Sequence, residues 1–579
     1  MGLVKEKKMI NQKRPLIFFI STAMLAVIAT GAHETPNITQ VKNAPATQAV
    51  GASGMVSSAH PLATQAGLDI LAVGGNAFDA AIAVAATLNV VEPMMSGVGG
   101  YGAMVIYDAN NREVKFLDSS GRIPATLDSD VFRPPTPDYQ KNRLGAKSIS
   151  TPGNANAWEA LSKSYGRLEW RRLFDAAIKA AGEGFVISEM TADHIKEEFN
   201  AFPDEARSIY GRNGEPLKAG DRLTQKDLAR SLRMIAEQGA RVIHGGELGK
   251  AIDSTMREAG AFLTIDDLRK NHAEWRRPVS IDYRGYKVFT ASAPTNAWNG
   301  LLRLGIMSRF DLTTLGPGGA ALLHRYAEAT KLAYSARLKY ASDPDISPPP
   351  LAKLLSEKYW AEEAAKINLK QAASFAAPTT SSSQEEHTTH FVVADDQGNV
   401  VTATQTLGNR FGSKVMARGT GIWLNNSLAY STFEPKGNPM DAFPGRRKLA
   451  GFCPVIVMRN GKPWVAIGTP GGHTIVQTVP QMLMNLIDFR MDIQQAISAP
   501  RISFVEPDVI AVDNGVPEPV RKELSAMGHN IRIRSLGNAH GLIIEYDVRG
   551  APNRFTGAAD PRGEGVAIGL AIEKAAGRE

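Results

Sequence analysis

The sequence predicts a globular protein of mixed α/β (α+β) class, and three observations support this prediction. Hydrophobic residues make up 43% of the 579 residues and charged residues 21%, which is typical of a chain that buries a core. Apolar residues recur at helical spacing in residues 64–91, 158–268 and 320–341. After residue 386 the pattern changes to short strands separated by turn residues.

The first 32 residues have the order of a secretory signal peptide. Basic residues up to Arg14 precede an apolar run at 16–29, and small residues follow at 30–32. We therefore expect an exported protein, periplasmic or secreted, that contacts a membrane only if this segment stays uncleaved as an anchor. The segment carries +4 of the formal net charge of +7, so the basic balance does not indicate nucleic-acid binding. The single cysteine, Cys453, excludes an intramolecular disulfide.

A glycine-rich loop at 96–102 follows the first predicted helix and leads into a strand at 103–107. Its residues Gly97, Gly99 and Gly102 match the pattern G-x-G-x-x-G. A dinucleotide site needs the order strand, loop, helix, because the pyrophosphate lies at the helix N-terminus. The order here is helix, loop, strand, so we expect these glycines to permit a close approach of two backbone segments.

Residues 373–387 separate the helical part of the chain from the β-rich part. They are rich in Ala, Ser, Thr and Glu and low in large apolar residues, which predicts an exposed linker. Beyond them, strands are predicted at 391–394 and 400–407, and Asn460-Gly461 is a strong hairpin signal. A helix is predicted again at 474–486.

The segment His387-Thr388-Thr389-His390 lies where the linker meets a predicted strand. Polar linker is the simpler interpretation of the threonines, and one His-x-x-His pair is weak evidence for a metal site. A threonine hydroxyl is a poor nucleophile without a base. If the chain breaks before Thr388, the new α-amine, with a pKa of about 7.7–8.0, provides that base on the same residue.

An acyl-transfer site also needs donors for the oxyanion, and backbone N–H groups commonly serve. Gly471-Gly472 follow a predicted strand and are candidates for this task, although a tight turn is the simpler interpretation of Pro-Gly-Gly.

Taken together, these segments resemble the gamma-glutamyltransferase (glutathione hydrolase) family of N-terminal-nucleophile hydrolases. The resemblance extends over nearly all of the chain after the signal. The matching motifs, in chain order, are HPLA at 60–63, GGNAFDAA at 74–81, EP at 92–93, SGVGG at 96–100, STPG at 150–153, DYRGY at 282–286, TTH at 388–390, DQGN at 396–399, LNN at 424–426, PGG at 470–472 and ADPR at 559–562.

The resemblance implies a four-layer αββα sandwich and a proenzyme that cuts itself between His387 and Thr388. A large subunit, 33–387, and a small subunit, 388–579, would then remain together as a heterodimer within one composite globule. Thr388 corresponds to the family nucleophile and Thr406 to the threonine that supports it. Gly471 and Gly472 correspond to the oxyanion donors. No metal and no organic cofactor is implied.

The sequence departs from the family at the groups that bind the glutamyl α-carboxylate. The family arginine falls at Ser120, and Arg122 lies two residues later. The family's serine pair falls at Ala450-Gly451.

The groups that hold the α-amine also differ. The family asparagine falls at Gly408, with Asn409 next to it, and the family aspartate falls at Tyr430. Losing one partner of a buried charge pair costs about 2–5 kcal/mol, so losing several should lower gamma-glutamyl turnover by orders of magnitude. Tyr430, Phe452 and Trp298 suggest a more apolar acyl pocket, with core packing as the equal alternative.

We therefore expect a self-processing enzyme that cleaves gamma-glutamyl or related amides, such as glutathione, through an acyl-Thr388 intermediate, with altered acyl specificity. Its partners would be a small-molecule or peptide amide and an acceptor, either water or an amine. Four alternatives stay open: an authentic gamma-glutamyltransferase that uses Arg122 and Asn409 as substitutes, an amidohydrolase resembling cephalosporin acylases, a hydrolase of gamma-linked peptides, and a non-catalytic exported binding protein of the same fold.

Overall fold

The computed structural model describes residues 48–375 and 387–571. The predicted signal peptide and most of the predicted linker lie outside the described residues. Two seven-stranded antiparallel sheets form the centre of the molecule. In spatial order, the first sheet consists of β1 (Ala49–Gly51), β22 (Pro552–Ala559), β21 (His540–Tyr546), β17 (Lys462–Gly468), β16 (Val455–Arg459), β11 (Tyr286–Thr290) and β10 (Val279–Tyr283).

The second sheet contains the strands next to the predicted cut. In spatial order, it consists of β23 (Val566–Leu570), β2 (Gly54–Ser58), β12 (His387–Asp395), β13 (Val400–Gly408), β3 (Tyr101–Asp108), β4 (Glu113–Asp118) and β9 (Glu274–Arg276). Smaller sheets are formed by β5 (Phe185–Val186) with β8 (Arg222–Leu223), β6 (Gly211–Arg212) with β7 (Glu215–Pro216), β14 (Met416–Ala417) with β15 (Ile422–Trp423), and β18 (Ile502–Val505), β19 (Val509–Val512) and β20 (Ile531–Ile533).

Helices cover the outer face of each large sheet. Those of the described residues are α1 (Pro61–Ala72), α2 (Ala77–Val91), α3 (Tyr139–Leu144), α4 (Asn154–Tyr165), α5 (Asp175–Glu183), α6 (Glu189–Glu198), α7 (Asp204–Tyr210), α8 (Lys226–Gln238), α9 (Glu247–Glu258), α10 (Ile265–Lys270), α11 (Trp298–Met307), α12 (Ala320–Tyr340), α13 (Leu351–Leu354), α14 (Glu357–Ala364), α15 (Ile475–Ile487), α16 (Ile493–Ser498) and α17 (Glu518–Ala526). None of these helices is long and apolar enough to span a bilayer.

The layers are helix, sheet, sheet, helix, which confirms the αββα sandwich. Helices α1, α2 and α4 contact the second sheet, whereas α11, α15 and α16 contact the first. Strands β12 and β13 contact β17 and β21 across the interface between the sheets. Along β12, Val392 and Ala394 enter the core between the sheets, while Phe391 and Val393 enter the core under α1 and α2. Successive side chains of a strand point to opposite faces. Since both sets lie in a core, both faces of this strand are buried.

Several local predictions are confirmed, and one boundary is corrected. Asn460 and Gly461 have φ of 52° and 76° at the β16–β17 hairpin, as a type I′ turn requires. The linker predicted at 373–387 is too long at both ends. Phe375 packs its ring against Tyr334 and Phe504, and His387 is already the first residue of β12. The packing of the Phe375 ring and the pairing of His387 in β12 order these two ends. Neither contact can be recognised from the composition of the linker.

Candidate active site

Thr388 lies in the second sheet at an irregularity between β12 and β13. His387 pairs with Gly408, but Thr389 pairs with Gln405, so two residues of β13, Thr406 and Leu407, stand opposite Thr388. This is a β-bulge, which changes the direction of side chains at the point of insertion.

Contacts outside the pair of strands hold the bulge. The Leu407 N–H donates to the Met95 carbonyl oxygen at 3.1 Å, in the glycine-rich loop region. In the same loop, a Cβ added at Gly100 would lie 2.3 Å from the Thr406 carbonyl oxygen. The close backbone approach predicted for this loop is therefore confirmed, and it supports the strand that carries Thr406.

The hydroxyl of Thr406 contacts both the Thr388 hydroxyl and the His387 carbonyl oxygen, the two groups that would react if the bond between these residues cleaved itself. Thr388 Oγ1 donates to Thr406 Oγ1 at 3.1 Å, and Thr406 Oγ1 donates to the His387 carbonyl oxygen at 2.5 Å. The Gly408 N–H donates to the same hydroxyl at 2.9 Å and fixes its orientation. Thr388 and Thr406 are both buried, at 6% and 2% exposure, so bulk water does not screen these contacts.

The two histidines that flank Thr388 and Thr389 have different environments. His390 is fully buried, with Thr404 Oγ1 2.9 Å from its Nδ1 and Thr402 Oγ1 3.2 Å from its Nε2. Burial lowers the pKa of His387 to about 3, and nearby positive charges add to the effect. Both ring nitrogens of His390 are thus engaged by threonines, which supports a packing role for this ring.

His390 also packs against the end of β17, the strand that leads into the Pro-Gly-Gly turn. A Cβ at Gly468, the last residue of β17, would lie 2.2 Å from Cε1 of His390. Sequence reasoning missed this pair, because the contact joins two strands of different sheets.

Gly471 and Gly472 follow this point and have φ of 128° and 50°, in the region that favours glycine. Thr474 holds their turn, since its N–H and its hydroxyl donate to the Gly471 carbonyl oxygen at 2.9 and 2.8 Å. The turn leads directly into the N-terminus of α15, where the partial positive charge of a helix favours an anion. Gly451 lies against it, because a Cβ there would be 2.6 Å from the Gly472 carbonyl oxygen.

Gly408, Asn409 and Tyr430 form the link between the threonines and this turn. Tyr430 Oη donates to Asn409 Oδ1 at 2.5 Å, and a Cβ at Gly408 would lie 3.3 Å from Cε2 of Tyr430. The Tyr430 ring meets the ring of His473 edge-on, with centroids 6.2 Å apart. Successive contacts therefore connect Thr388 through Thr406 and Tyr430 to the residue after Gly472.

Arg122 has other partners. Its guanidinium lies 3.0 Å from the Glu274 carboxylate and donates to the Gly445 carbonyl oxygen at 3.2 Å. Glu274 also contacts the fully buried Arg447, which in turn pairs with Asp118. Arg122 is thus part of a structural ion-pair network.

The remaining substrate-binding prediction, Ala450, is held by backbone bonds. Its carbonyl oxygen accepts the Asn296 N–H at 2.7 Å. Phe452 packs on Tyr101 with ring centroids 5.5 Å apart, and Trp298 is 1% exposed in the same hydrophobic core. These two aromatic residues have the packing role, and Tyr430 is the aromatic residue that contacts the candidate site.

Two cationic side chains, Arg337 and Lys448, act on His473 beside the Gly471-Gly472 turn. Lys448 is only 2% exposed, and burial, followed by repulsion from Arg337, lowers its pKa to about 7. Burial also lowers the pKa of His473, and the charges of Arg337 and Lys448 lower it further. Sequence reasoning missed Lys448, since its burial depends on the fold around it.

Glu92 is a second buried titratable group that sequence reasoning missed. Thr389 Oγ1 donates to Glu92 Oε2 at 2.7 Å, and burial raises the pKa of Glu92 to about 7. Glu92 belongs to the EP motif, but the sequence alone does not show that its carboxylate contacts Thr389.

We expect Thr406→Val to slow cleavage of the His387–Thr388 bond by one to two orders of magnitude. Valine keeps the volume of threonine but loses the hydroxyl, and a hydrogen bond to a charged group is worth about 1.5–3 kcal/mol. The half-time for appearance of the small fragment, followed by intact mass, measures the effect. Thr404→Val, which removes the hydroxyl that contacts His390, is the matched control. An unchanged half-time in Thr406→Val would contradict the role given to this hydroxyl.

Comparison with known proteins identifies the family of the chain. The sequence profile described as gamma-glutamyltranspeptidase matches residues 63–570. The glutathione hydrolase proenzyme of Bacillus subtilis (strain 168) is 32% identical over 549 residues, covering 91% of this chain and 93% of the relative. The acylase ACY 1 proenzyme of Pseudomonas sp. (strain V22) is 35% identical over 539 residues, covering 90% and 94%.

Among solved structures, the cephalosporin acylase from Bacillus halodurans superposes with a TM-score of 0.82 at 29% identity. The match covers 94% of this chain and all of that structure. Matches of this length, with the fold and the ordered motifs, establish that the chain belongs to the gamma-glutamyltranspeptidase family of N-terminal-nucleophile hydrolases.

Proposed function

We propose that the chain cuts itself between His387 and Thr388 and then acts as an N-terminal-threonine amidohydrolase. The observation that carries this proposal is the Thr406 hydroxyl, which contacts both Thr388 Oγ1 and the His387 carbonyl oxygen. The products would be a large subunit, 33–387, after removal of an export signal at 1–32, and a small subunit, 388–579. The names of the relatives support self-processing, since several are called proenzymes.

The cleavage begins with attack of Thr388 Oγ1 on the His387 carbonyl carbon. The C–N bond to Thr388 breaks, the nitrogen takes the hydroxyl proton, and an ester joins His387 to Oγ1. Thr406 donates to the oxygen on which negative charge develops. Water then hydrolyses the ester, which yields the His387 carboxylate and restores the Thr388 hydroxyl beside a free α-amine.

The mature reaction repeats this chemistry on an external amide. The α-amine of Thr388 takes the Oγ1 proton as Oγ1 attacks the substrate carbonyl carbon. The N–H groups of Gly471 and Gly472 stabilise the oxyanion, and the leaving amine receives the proton. Water or an acceptor amine then releases the acyl group from Thr388.

The acyl group that best fits the site carries a carboxylate and no α-amine. Tyr430 stands where relatives in the family hold the amine with an aspartate, so an ammonium group finds no counter-charge from that position. Lys448 is close enough to His473, the residue after Gly472, to lower the pKa of that ring, so its ammonium group can meet a carboxylate at the turn while it is protonated. The relatives named acylase and cephalosporin acylase support an acyl group other than gamma-glutamyl.

A pair of chromogenic amides tests this specificity. Glutaryl p-nitroanilide and gamma-glutamyl p-nitroanilide differ only in the α-amine, and we expect kcat/KM to be at least about tenfold higher for glutaryl, a difference of about 1.4 kcal/mol. Efficient glutathione hydrolysis with micromolar KM would contradict the proposal and favour an authentic gamma-glutamyltransferase.

A variant locates the charge that is responsible. Lys448→Met should lower turnover of the glutaryl amide and leave turnover of valeryl p-nitroanilide, which has the same chain length without the carboxylate, unchanged. Intact mass of Lys448→Met provides the control for folding, because only a folded chain is expected to process. An equal loss on both amides would assign Lys448 to packing.

A further inference from the structure

A group of metal-binding side chains lies away from the acyl-transfer residues. His324 and Glu328 lie four residues apart on α12, so their side chains share one face of the helix. His529 follows α17 and meets this face. One ligand atom from each of the three residues lies within 4.8 Å of the others, and the three are 0%, 4% and 5% exposed.

The hydrogen bonds of His324 determine its tautomer. His324 Nε2 lies 2.7 Å from the Asn368 carbonyl oxygen, which only accepts, so Nε2 carries the proton. His324 Nδ1 then carries a lone pair, which is directed at His529 Nε2, 2.8 Å away. A carbonyl that fixes the far N–H of a histidine is the usual outer partner of a metal-binding imidazole.

His529 and Glu328 can each accept a further contact. Among the described residues, His529 Nδ1 has no hydrogen-bond partner although its side chain is buried. Glu328 Oε1 is 3.2 Å from Lys331 Nζ, and Lys331 Nζ is also 3.3 Å from Asp508. Two carboxylates therefore face one ammonium, and this excess of negative charge favours an added cation.

We propose that His324, Glu328 and His529 bind one divalent zinc-like metal ion. Two imidazoles and a carboxylate are ligands typical of zinc, whereas calcium and magnesium prefer oxygen ligands alone. The His529 proton moves from Nε2 to Nδ1, or the ring turns, so that one nitrogen lone pair faces the ion. Glu328 keeps one oxygen for the ion while Lys331 stays paired with Asp508.

The site would join the two subunits. His324 and Glu328 precede the proposed cut and His529 follows it, so one ion would cross-link the products. The cluster also contacts the chain shortly before the gap at 376–386, since Glu328 Oε2 accepts the Ala373 N–H at 3.0 Å and the Ala372 N–H donates to the Met527 carbonyl oxygen at 2.7 Å. The consequence is a structural metal that holds the subunits together and does not take part in acyl transfer.

Metal binding to the purified full protein tests the proposal without reference to activity. After treatment with a chelator and dialysis, wild type titrated with Co²⁺ should show the visible absorption of a four-coordinate site, with three protein ligands and one water, saturating at one equivalent per chain. Zn²⁺ should displace this signal and raise the Tm. Wild type that develops no such absorption would overturn the proposal.

Variants assign the ligands. His529→Ala and Glu328→Gln should each lose the stoichiometric absorption and the Zn²⁺-dependent increase in Tm. His272→Ala, which removes an exposed histidine, should keep both. If His529→Ala, folded by circular dichroism, binds Co²⁺ as wild type does, the ion lies elsewhere and the assignment is wrong.

Discussion

Thr388→Ala is expected to yield a single uncut chain that hydrolyses no amide. Alanine removes the hydroxyl that donates to Thr406 Oγ1 and that would attack the His387 carbonyl carbon, so neither the ester nor the new N-terminus should form. Intact mass and N-terminal sequencing measure the first effect. Amide turnover measures the second, and removal of a nucleophile lowers it by a factor on the order of 10⁴ or more.

Two neighbouring substitutions sharpen this experiment. Thr388→Ser keeps a hydroxyl on Cβ and an α-amine on Cα. The peptide bond that follows His387 should therefore still be cut, though more slowly. Thr389→Ala removes the hydrogen bond to Glu92 and leaves the Thr388 hydroxyl in place, so a fragment that starts at residue 388 should still appear. A cut Thr388→Ala chain would refute the assignment of the nucleophile, and an uncut, folded wild type would favour a binding protein.

Asp560→Asn is expected to lower the free energy of unfolding by about 3–5 kcal/mol, because it removes the carboxylate partner of a buried arginine. Asp560 and Arg501 are both fully buried, with Arg501 Nη2 2.5 Å from Asp560 Oδ2. Arg562 lies 2.8 Å from the other oxygen, and the Ala539 N–H donates to the carboxylate at 3.0 Å. Neutral asparagine would leave the charge of Arg501 uncompensated in the core.

Urea unfolding measures this loss most simply in the uncut Thr388→Ala background, where a single chain unfolds. Asp547→Asn, which removes an exposed pair with Arg549, is the control and should cost less than about 1 kcal/mol. An equal shift of the urea midpoint in both variants would contradict the importance of the buried pair.

The same pair makes a prediction for pH. Burial tends to raise the pKa of Asp560, but Arg501 and Arg562 together hold it below its usual value. A carboxyl with a lowered pKa stabilises the fold fully above its unfolded pKa of about 3.9, and this contribution disappears as the pH falls through the lower folded value. The difference between wild type and Asp560→Asn should therefore be constant near neutral pH and shrink below about pH 4.

Local pattern was sufficient for much of the fold. Helix α12, the β16–β17 hairpin and the two strands joined by the turn at 396–399 lie where apolar spacing and turn residues predict them, although β12 begins four residues earlier, at His387. These features depend on contacts between residues close in sequence, and the spacing of apolar and turn residues along the chain indicates them. Chemistry and family motifs together predict that Thr388 is the nucleophile.

Long-range packing decided the rest of the candidate site. The bulge that places Thr406 opposite Thr388, the burial of Lys448 and the meeting of His324 with His529 all join segments distant in sequence. Spacing along the chain shows which face a residue occupies but not which segment covers that face, because burial and partner choice arise only when the layers pack. For the same reason Arg122, a plausible carboxylate ligand by motif position, proved to be paired with Glu274.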